Sequence, residues 1–307
     1  MQFQQTLKRP VVCQGIGIHA GRPAQITIKP APANSGILFV RTDLPGTPVI
    51  PARCSRVVAS SLATTLGNQQ AYVSTVEHLL AALAGLQIDN ARIEVSGPEV
   101  PILDGSARPF TQLLLRAGVK TLRWPRAFFV MQKSLELQDG DKYIRVDPAP
   151  TAQLTYHIDF PHPTIGRQTF SFTPRVKAFL QDIAPARTFG FLHEVEYLQA
   201  KGLALGGSLA NAIVLDDRGV LNPEGLRFQD EFVRHKLLDL IGDLALLGWP
   251  LIGHIQVQKG SHALHQRFMQ ALLQEQGAWR LWIPETQPQW RPSPAISQPL
   301  RWRTAMA

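Results

Sequence analysis

Short runs of alternating apolar and polar residues recur along the chain and predict half-buried strands, because the side chains of a strand point alternately to its two faces. These runs occupy residues 24–28, 91–95, 143–146, 154–158 and 255–258. Apolar residues three and four positions apart predict helices over residues 74–84, 110–117 and 229–247. Strands, helices and strands therefore follow one another twice. This order favours an α+β protein made of two similar halves over an alternating parallel α/β fold.

Punctuating residues after the second predicted helix mark a domain boundary. Gly118 and Pro125 break the pattern there, so we expect an N-terminal domain over residues 1–125 and a C-terminal domain over residues 126–275. Residues 276–307 are rich in Pro, Gln, Trp and Arg and show neither a helical nor a strand period. We expect this tail to be a flexible extension, part of which packs through its tryptophans.

The composition is that of a globular protein with a basic surface. Of the 307 residues, 45% are hydrophobic and 18% charged, which excludes wholesale disorder. The net charge of +8 favours acidic partners. Because the basic residues form no block and no nucleic-acid-binding motif accompanies them, a phosphate-bearing small molecule or an anionic membrane surface explains the charge at least as well as nucleic acid.

The cysteines and the apolar runs predict a cytoplasmic protein. Cys13 and Cys54 are too few for a cysteine-rich zinc site, and two reduced thiols are favoured over one disulfide. No apolar run approaches the ~18 residues of a membrane span. The first eight residues lack the apolar core of a secretory signal.

The first predicted helix carries a histidine on a face of very small residues. Ser74 and Glu77 match a capping box, and Gly85 is a typical C-terminal stop. His78 lies opposite the apolar stripe and beside alanines, where a surface helix would carry lysine or glutamate. We therefore expect this helix to lie between two layers with His78 facing inward. Taken alone, the helix favours a cap and an ordinary buried histidine over a metal site.

The helix over residues 229–247 places His235 and Asp239 on one face, because residues four apart are neighbours in a helix. An unpaired charge among Phe and Leu side chains is costly, so the two residues either form an ion pair or bind one cation. His78 would complete a set of two histidines and one carboxylate with an open fourth position, as in catalytic zinc sites. Glu77 would then be placed to act as a general base. Spacing alone supports the ion pair and the metal equally.

Two further segments are candidates for the wall of a cleft. His262 follows a predicted strand in a Gly-Ser turn, which suits a residue presented to a cleft, although a solvated histidine is the commoner outcome. Asp243, one turn after Asp239, either holds His262 protonated or is an ordinary charge on the helix face. The apolar, glycine-rich segment 202–209 is either a buried turn or the lining of an apolar passage.

Together these segments resemble the UDP-3-O-acyl-N-acetylglucosamine deacetylase (LpxC) family of lipid A synthesis. The likeness runs from about residue 2 to 275. Segment 191–198 matches only in outline, and the tail after residue 275 has no counterpart. The family implies two similar domains, each a small, mostly antiparallel sheet with helices, and helices packed between the two sheets. The matching motifs lie at residues 15–21, 74–90, 101–106, 186–190, 234–243 and 259–264.

The resemblance implies one Zn²⁺ per chain and gives roles to the residues at matching positions. Glu77 matches the general base, and Thr188 matches the threonine that assists at the tetrahedral intermediate. His262 matches the cation that stabilises the oxyanion and protonates the leaving amine, with Asp243 as its partner. The residues that match the metal ligands are His78, His235 and Asp239.

The resemblance also implies a substrate and a set of contacts to it. The activity would remove the N-acetyl group from an acylated UDP-N-acetylglucosamine, giving acetate and a free amine. The partner would be this small molecule and not nucleic acid, with peripheral membrane contact and a monomer as the working unit. Positions that hold the sugar and diphosphate match Lys236, Lys259 and Phe160. Positions that line the passage for the acyl chain match Leu62, Phe189, Ser208 and Leu209.

Two alternatives stay open at this point. One is a zinc hydrolase of another amide substrate, although the sequence lacks the His-Glu-x-x-His motif of common metallopeptidases. The other is a basic nucleic-acid-binding protein without catalysis, which would bind with salt-sensitive affinity and carry no metal.

Overall fold

The computed structural model describes residues 2–284, in which strands and helices fall into two halves. The first half contains β1 (Phe3–Leu7), β2 (Val11–Ile16), β3 (Pro23–Pro30), β4 (Ile37–Arg41), β5 (Val49–Pro51), β6 (Val57–Ala59), β7 (Thr65–Gly67), β8 (Tyr72–Val73), α1 (Glu77–Gly85), β9 (Ala91–Ser96), α2 (Arg108–Ala117) and β10 (Val119–Pro125). The second half contains β11 (Phe128–Met131), β12 (Leu135–Asp139), β13 (Lys142–Asp147), β14 (Gln153–Phe160), β15 (Gly166–Phe172), α3 (Val176–Ala178), β16 (Phe189–Phe191), α4 (Leu192–Ala200), β17 (Ile213–Leu215), α5 (Glu231–Leu244), β18 (Leu251–Ile252), β19 (His254–Gln258), α6 (His262–Gln274) and β20 (Trp279–Trp282).

Each half contains a five-stranded sheet, and the two sheets have the same topology. The first has the order β2-β3-β9-β4-β5 and the second the order β12-β13-β19-β14-β15. In both, a late strand (β9 or β19) lies between two hairpins, parallel to one neighbour and antiparallel to the other. The repeat confirms an α+β fold of two similar halves. The division into domains at residue 125 stays a prediction.

Helices α1 and α5 occupy equivalent places, before the inserted strand of each half, and pack directly against each other. Every residue of α1 from Glu77 to Leu83 is buried. A Cβ at Gly242 of α5 would lie 2.1 Å from the carbonyl oxygen of Glu77, so only glycine permits this approach of the two backbones. Buried apolar residues of both sheets and both helices belong to one core. The predicted burial of α1 and inward placement of His78 are confirmed.

The start of α1 differs from the prediction, because Ser74 and Glu77 do not form a capping box. Ser74 stays extended and forms a β-bridge with Glu99, and Thr75 then takes a left-handed φ of 57°. The helix begins only at Glu77, whose side chain accepts a hydrogen bond from the backbone N–H of Thr64 (3.1 Å). The carboxylate is thereby turned into the interior, away from the first turn of the helix.

The other two predicted helices, α2 and α5, lie close to their predicted bounds, whereas α3, α4 and α6 were not predicted. The beginning of the tail differs in part from the expectation. Strand β20 pairs antiparallel with β11, and the ring of Trp279 contacts that of Phe129 (centroids 4.5 Å apart). The expectation of a flexible extension is wrong for this segment, whereas the expected packing through a tryptophan is confirmed at Trp279. The remainder of the expected flexible extension, residues 285–307, lies outside the described residues.

Two smaller expectations concern thiols and membrane spans. Cys13 and Cys54 are both buried free thiols, as expected. None of the helices formed within residues 2–284 is long and apolar enough to cross a bilayer.

Candidate metal centre

Three ionisable side chains from α1 and α5 meet where these helices touch. His78 comes from α1, and His235 and Asp239 lie one turn apart on α5. The Nε2 atoms of His78 and His235 lie 3.6 and 3.3 Å from Oδ1 of Asp239. All three residues are at most 4% exposed.

The arrangement fits one metal ion. Donors bound ~2.0–2.2 Å from a tetrahedral ion lie about 3.4 Å apart, close to the two distances to the Asp239 carboxylate. Oδ1 of Asp239 is buried and, within residues 2–284, accepts no hydrogen bond. An anionic oxygen left without a partner is costly unless a cation satisfies it. Two imidazoles and one carboxylate form the donor set of many catalytic zinc sites, with the fourth position free for water or substrate.

The charges favour a metal over the alternative of an ion pair. Nδ1–H of His235 donates to the carbonyl oxygen of Ala186 (3.1 Å), which leaves the lone pair of Nε2 facing Asp239. Burial lowers the pKa of His235 to about 3, so this imidazole is neutral. Burial alone would raise the pKa of Asp239, but the cationic Lys236 and His262 hold it well below its ordinary value. A neutral imidazole beside a carboxylate makes a ligand pair and not a salt bridge.

Glu77 lies beside the three ligands with its carboxylate buried. One oxygen accepts from the N–H of Thr64, and the other lies 3.8 Å from Nε2 of His262. Burial raises the pKa of Glu77, which brings a carboxylate closer to the range in which it exchanges protons near neutral pH.

His262 stands across from Glu77 as the first residue of α6, so the prediction that it lies in a Gly-Ser turn is wrong: Gly260 and Ser261 lead directly into the helix. Ser261 caps the helix by accepting from the N–H of Leu264 (3.3 Å). Nδ1 of His262 donates to Oδ2 of Asp243 (2.7 Å). Burial alone would lower the pKa of His262, but Asp243, Glu77 and Asp239 raise it to about 9. His262 is therefore a cation at neutral pH.

Three residues around Asp243 were missed in the sequence. Oδ2 also accepts from Nδ1 of His265 (2.8 Å), and Oδ1 accepts from the hydroxyl of Thr64 (2.6 Å). Tyr156 in turn contacts His265. His265 lies three residues after His262, a spacing that would have signalled a shared face had α6 been predicted. Thr64 and Tyr156 are distant in sequence and carry no local signal.

A cavity of about 210 Å³ opens beside the candidate ligands. Thr188, Phe189, Phe160 and Lys236 line it together with His235. The rings of Phe160 and Phe189 meet edge to face, 5.7 Å apart. Four of the residues predicted to act on substrate are thus brought to one place.

The other predicted contact residues lie elsewhere. Leu62 lines a second cavity, of about 340 Å³, that also contains His19 and Leu203. Lys259 is tied to Asp141 (2.8 Å) and lies in neither cavity. Ser208 and Leu209 are exposed on a loop outside both cavities.

Comparison with known proteins points to one family. The LpxC family model, described as UDP-3-O-acyl N-acetylglycosamine deacetylase, matches residues 4–274. A protein of Anaeromyxobacter sp. (strain Fw109-5) is 50% identical over 278 residues, 91% of each chain. One of Geotalea uraniireducens is 48% identical over 281 residues, 92% of each chain. One of Shewanella violacea is 47% identical over 290 residues, 94% of this chain and 95% of the relative.

All three relatives are named UDP-3-O-acyl-N-acetylglucosamine deacetylase. The family is one of metalloenzymes, in agreement with the buried cluster on α1 and α5. The family match and the alignments with these relatives cover most of the chain, so they include both similar halves of the fold. The chain therefore belongs to the UDP-3-O-acyl N-acetylglycosamine deacetylase family.

Proposed function

We propose that the protein is a zinc-dependent hydrolase that removes the N-acetyl group of UDP-3-O-acyl-N-acetylglucosamine, in lipid A synthesis. The observation that carries the proposal is the buried, unpartnered Oδ1 of Asp239, which faces two imidazole nitrogens between Glu77 and His262. Glu77, whose carboxylate can take a proton, and His262, whose imidazolium can give one, lie on two sides of this point. Amide hydrolysis needs both transfers at one carbon–nitrogen bond.

The residues divide the reaction between them. His78, His235 and Asp239 would hold the zinc ion, which supplies Lewis-acid chemistry when bound. Glu77 takes a proton from the attacking water as the water oxygen bonds to the acetamide carbon. The hydroxyl of Thr188 and the imidazolium of His262 stabilise the charge that develops on the carbonyl oxygen. His262 then gives its proton to the nitrogen as the carbon–nitrogen bond breaks, releasing acetate and the amine.

The surroundings of the centre suit the two ends of the proposed substrate. Lys236 and the ring of Phe160 offer a cation and an aromatic surface for the diphosphate and sugar. Lys259 would join them once a phosphate competes with its carboxylate partners. The acyl chain would pass Phe189, which meets Phe160 edge to face, and then Leu62. The exposed loop that carries Ser208 and Leu209 would contact this chain from outside both cavities. The basic net charge would also support peripheral contact with an anionic membrane.

The proposal extends to the working unit and its compartment. The groups assigned above form the site without a second chain, so a monomer would suffice as the catalytic unit. Two buried thiols left unpaired are typical of a reducing compartment, which supports work in the cytoplasm.

The direct test is acetate release. Purified protein loaded with zinc should release one acetate for each amine formed from the acylated UDP-sugar, and elemental analysis should find about one zinc per chain. No acetate from this substrate, together with salt-sensitive binding of nucleic acid and no zinc uptake, would instead support the non-catalytic alternative. Zinc uptake with hydrolysis only of other amides would support a different hydrolase.

Replacing Asp243 with asparagine should shift the alkaline limb of the pH profile to lower pH. Because the pKa of His262 is raised, its cationic form is lost only as pH rises through that value, and activity falls with it. Without the Asp243 charge, that pKa falls towards its ordinary value of about 6.5, so the limb moves downward. A bound metal cation would shift the alkaline limb to lower pH in the wild type and in the variant alike. The measurement is therefore kcat/KM against pH for both zinc-loaded proteins, and the quantity compared is the difference in pH between their alkaline limbs. Asp217→Asn, at an exposed carboxylate, is the matched control. An unshifted limb in Asp243→Asn would contradict the pairing.

A further inference from the structure

Tyr156 and His265 form a buried chain of hydrogen bonds behind the His262–Asp243 pair. The hydroxyl oxygen of Tyr156 lies 3.3 Å from Nε2 of His265, and Nδ1 of His265 lies 2.8 Å from Oδ2 of Asp243. The exposed fractions of Tyr156, His265 and Asp243 are 0%, 1% and 1%. Neither Tyr156 nor His265 lines either of the two cavities described above.

The direction of these hydrogen bonds follows from the chemistry of the groups. Within residues 2–284, His265 is the sole hydrogen-bond partner of the Tyr156 hydroxyl, and a buried phenol normally donates its proton. Nε2 of His265 is therefore the acceptor, so the proton of the neutral imidazole sits on Nδ1 and is donated to Asp243. Burial lowers the pKa of His265 and raises that of Tyr156 well above 10, which agrees with both groups being neutral.

The contact between Tyr156 and His265 is packed tightly against the turn before α6. A Cβ at Gly260 would lie 2.5 Å from the Tyr156 hydroxyl oxygen and 2.9 Å from Nε2 of His265. Cγ1 of Val257 would lie equally close, at 2.5 Å, so no side chain fits at position 260 without displacing the Tyr156–His265 contact. Two side chains brought together in this way cannot easily exchange partners.

Asp243 is consequently held by three donors. Oδ2 receives the N–H groups of His262 and His265, and Oδ1 receives the hydroxyl of Thr64. Three donors around one carboxylate fix its plane, whereas terminal sp²-type torsions such as χ2 of aspartate are otherwise broad. Loss of the donor from His265 would free Asp243 to turn, and the ring of His262 would turn with it.

We propose that His265, fixed in one tautomer by Tyr156, is a positioning residue that holds Asp243 and so aims Nε2 of His262 at the bond that breaks. This inference rests on the proposed deacetylase function, in which His262 delivers the proton. Within residues 2–284, His265 lines neither cavity and forms no hydrogen bond with a candidate ligand. Its loss should therefore lower kcat and leave KM and zinc content unchanged.

The test compares variants that keep or remove the donor in the zinc-loaded, full-length enzyme. His265→Leu removes it, and kcat should fall by about 10–100-fold, as for other residues that orient a functional group. His265→Asn offers an amide N–H close to the position of Nδ1 and should restore most of this loss. Tyr156→Phe removes the group that fixes the tautomer and should lower kcat less than His265→Leu. In histidine-labelled protein, the nitrogen NMR signal of Nδ1 of His262 should change in His265→Leu and stay near wild type in His265→Asn.

The outcomes separate this inference from the proposed function. Wild-type kcat with an unchanged His262 signal in His265→Leu would overturn it. Equal losses of kcat in His265→Leu and His265→Asn, at equal melting temperature, would also overturn it, because they would indicate that His265 acts by packing alone. If His265→Leu does not fold, Tyr156→Phe decides by the same two measurements. A wild-type enzyme that releases no acetate would refute the deacetylase function, while the NMR comparison would still report whether His265 positions His262.

Discussion

Glu77→Gln should lower kcat by about 10²–10⁴-fold, the range expected when a general base is removed, while the zinc content stays at that of the wild type. Glutamine has nearly the same shape and keeps an oxygen that can accept from the N–H of Thr64. It cannot take a proton from water. Glu77 is not one of the three candidate ligands, so the variant should still bind metal.

The measurement is the rate of acetate release at saturating substrate, combined with elemental analysis of the same preparation. Glu94→Gln is the matched control, because Glu94 forms salt bridges on the surface with Lys29 and Arg92. That control should keep wild-type kcat, since exposed ion pairs contribute little. A Glu77→Gln enzyme that binds zinc and keeps full activity would remove Glu77 from the proton transfer and leave another group to act as base.

The part of the site that lies on one helix could be predicted from the sequence. His235 and Asp239 are four residues apart, and helix geometry alone makes them neighbours. Their meeting with His78 depends on the contact between α1 and α5, which Gly242 permits at the backbone of Glu77. Spacing along the chain contains no information on such a contact. The inward face of the first helix made His78 a candidate third ligand, and the family resemblance decided between the metal and the ion pair.

The repeated fold was predictable because both sheets show the alternation of half-buried strands, as in β3 and β14. The errors arose where local signals had a tertiary competitor. Ser74 and Glu77 have the spacing of a capping box, but the extended pairing of Ser74 with Glu99 delays the helix. Strand β20 is too short to show a period, and its backbone partners lie on β11.

Helix α6 shows how one missed element hides functional residues. The Gly-Ser turn was interpreted as a loop, although Ser261 is also a typical N-cap and proves to be one. With a helix starting at His262, His265 falls on the same face, next to Asp243. Thr64 could not have been found in this way, because it is far in sequence from every group it contacts in the site.

Asp239→Asn should abolish tight zinc binding and lower kcat by at least about 10³-fold, since a catalytic metal supplies several kcal/mol of transition-state stabilisation and each 1.36 kcal/mol is tenfold in rate. The amide is nearly isosteric but carries no charge, and two imidazoles alone make a weak site. Zinc should raise the melting temperature of the wild type and not that of the variant, because a ligand stabilises only a folded state that binds it. Elemental analysis after dialysis and thermal unfolding with and without zinc check both statements.

The same substitution should affect the metal-free protein far less than the zinc-loaded one, which separates a metal ligand from a structural carboxylate. In the absence of metal, Oδ1 of Asp239 has no hydrogen bond from residues 2–284, so asparagine loses none there. The nearby cations that lower the pKa of Asp239 stabilise its charge, and the contact with Lys236 at 3.0 Å is lost, so the metal-free variant should be slightly less stable than the metal-free wild type. Asp139→Asn, at an exposed residue, is the matched control and should keep both zinc and activity. Full zinc content in Asp239→Asn, or a large drop in the melting temperature of its metal-free form, would show that Asp239 serves the fold and that the metal, if bound, lies elsewhere.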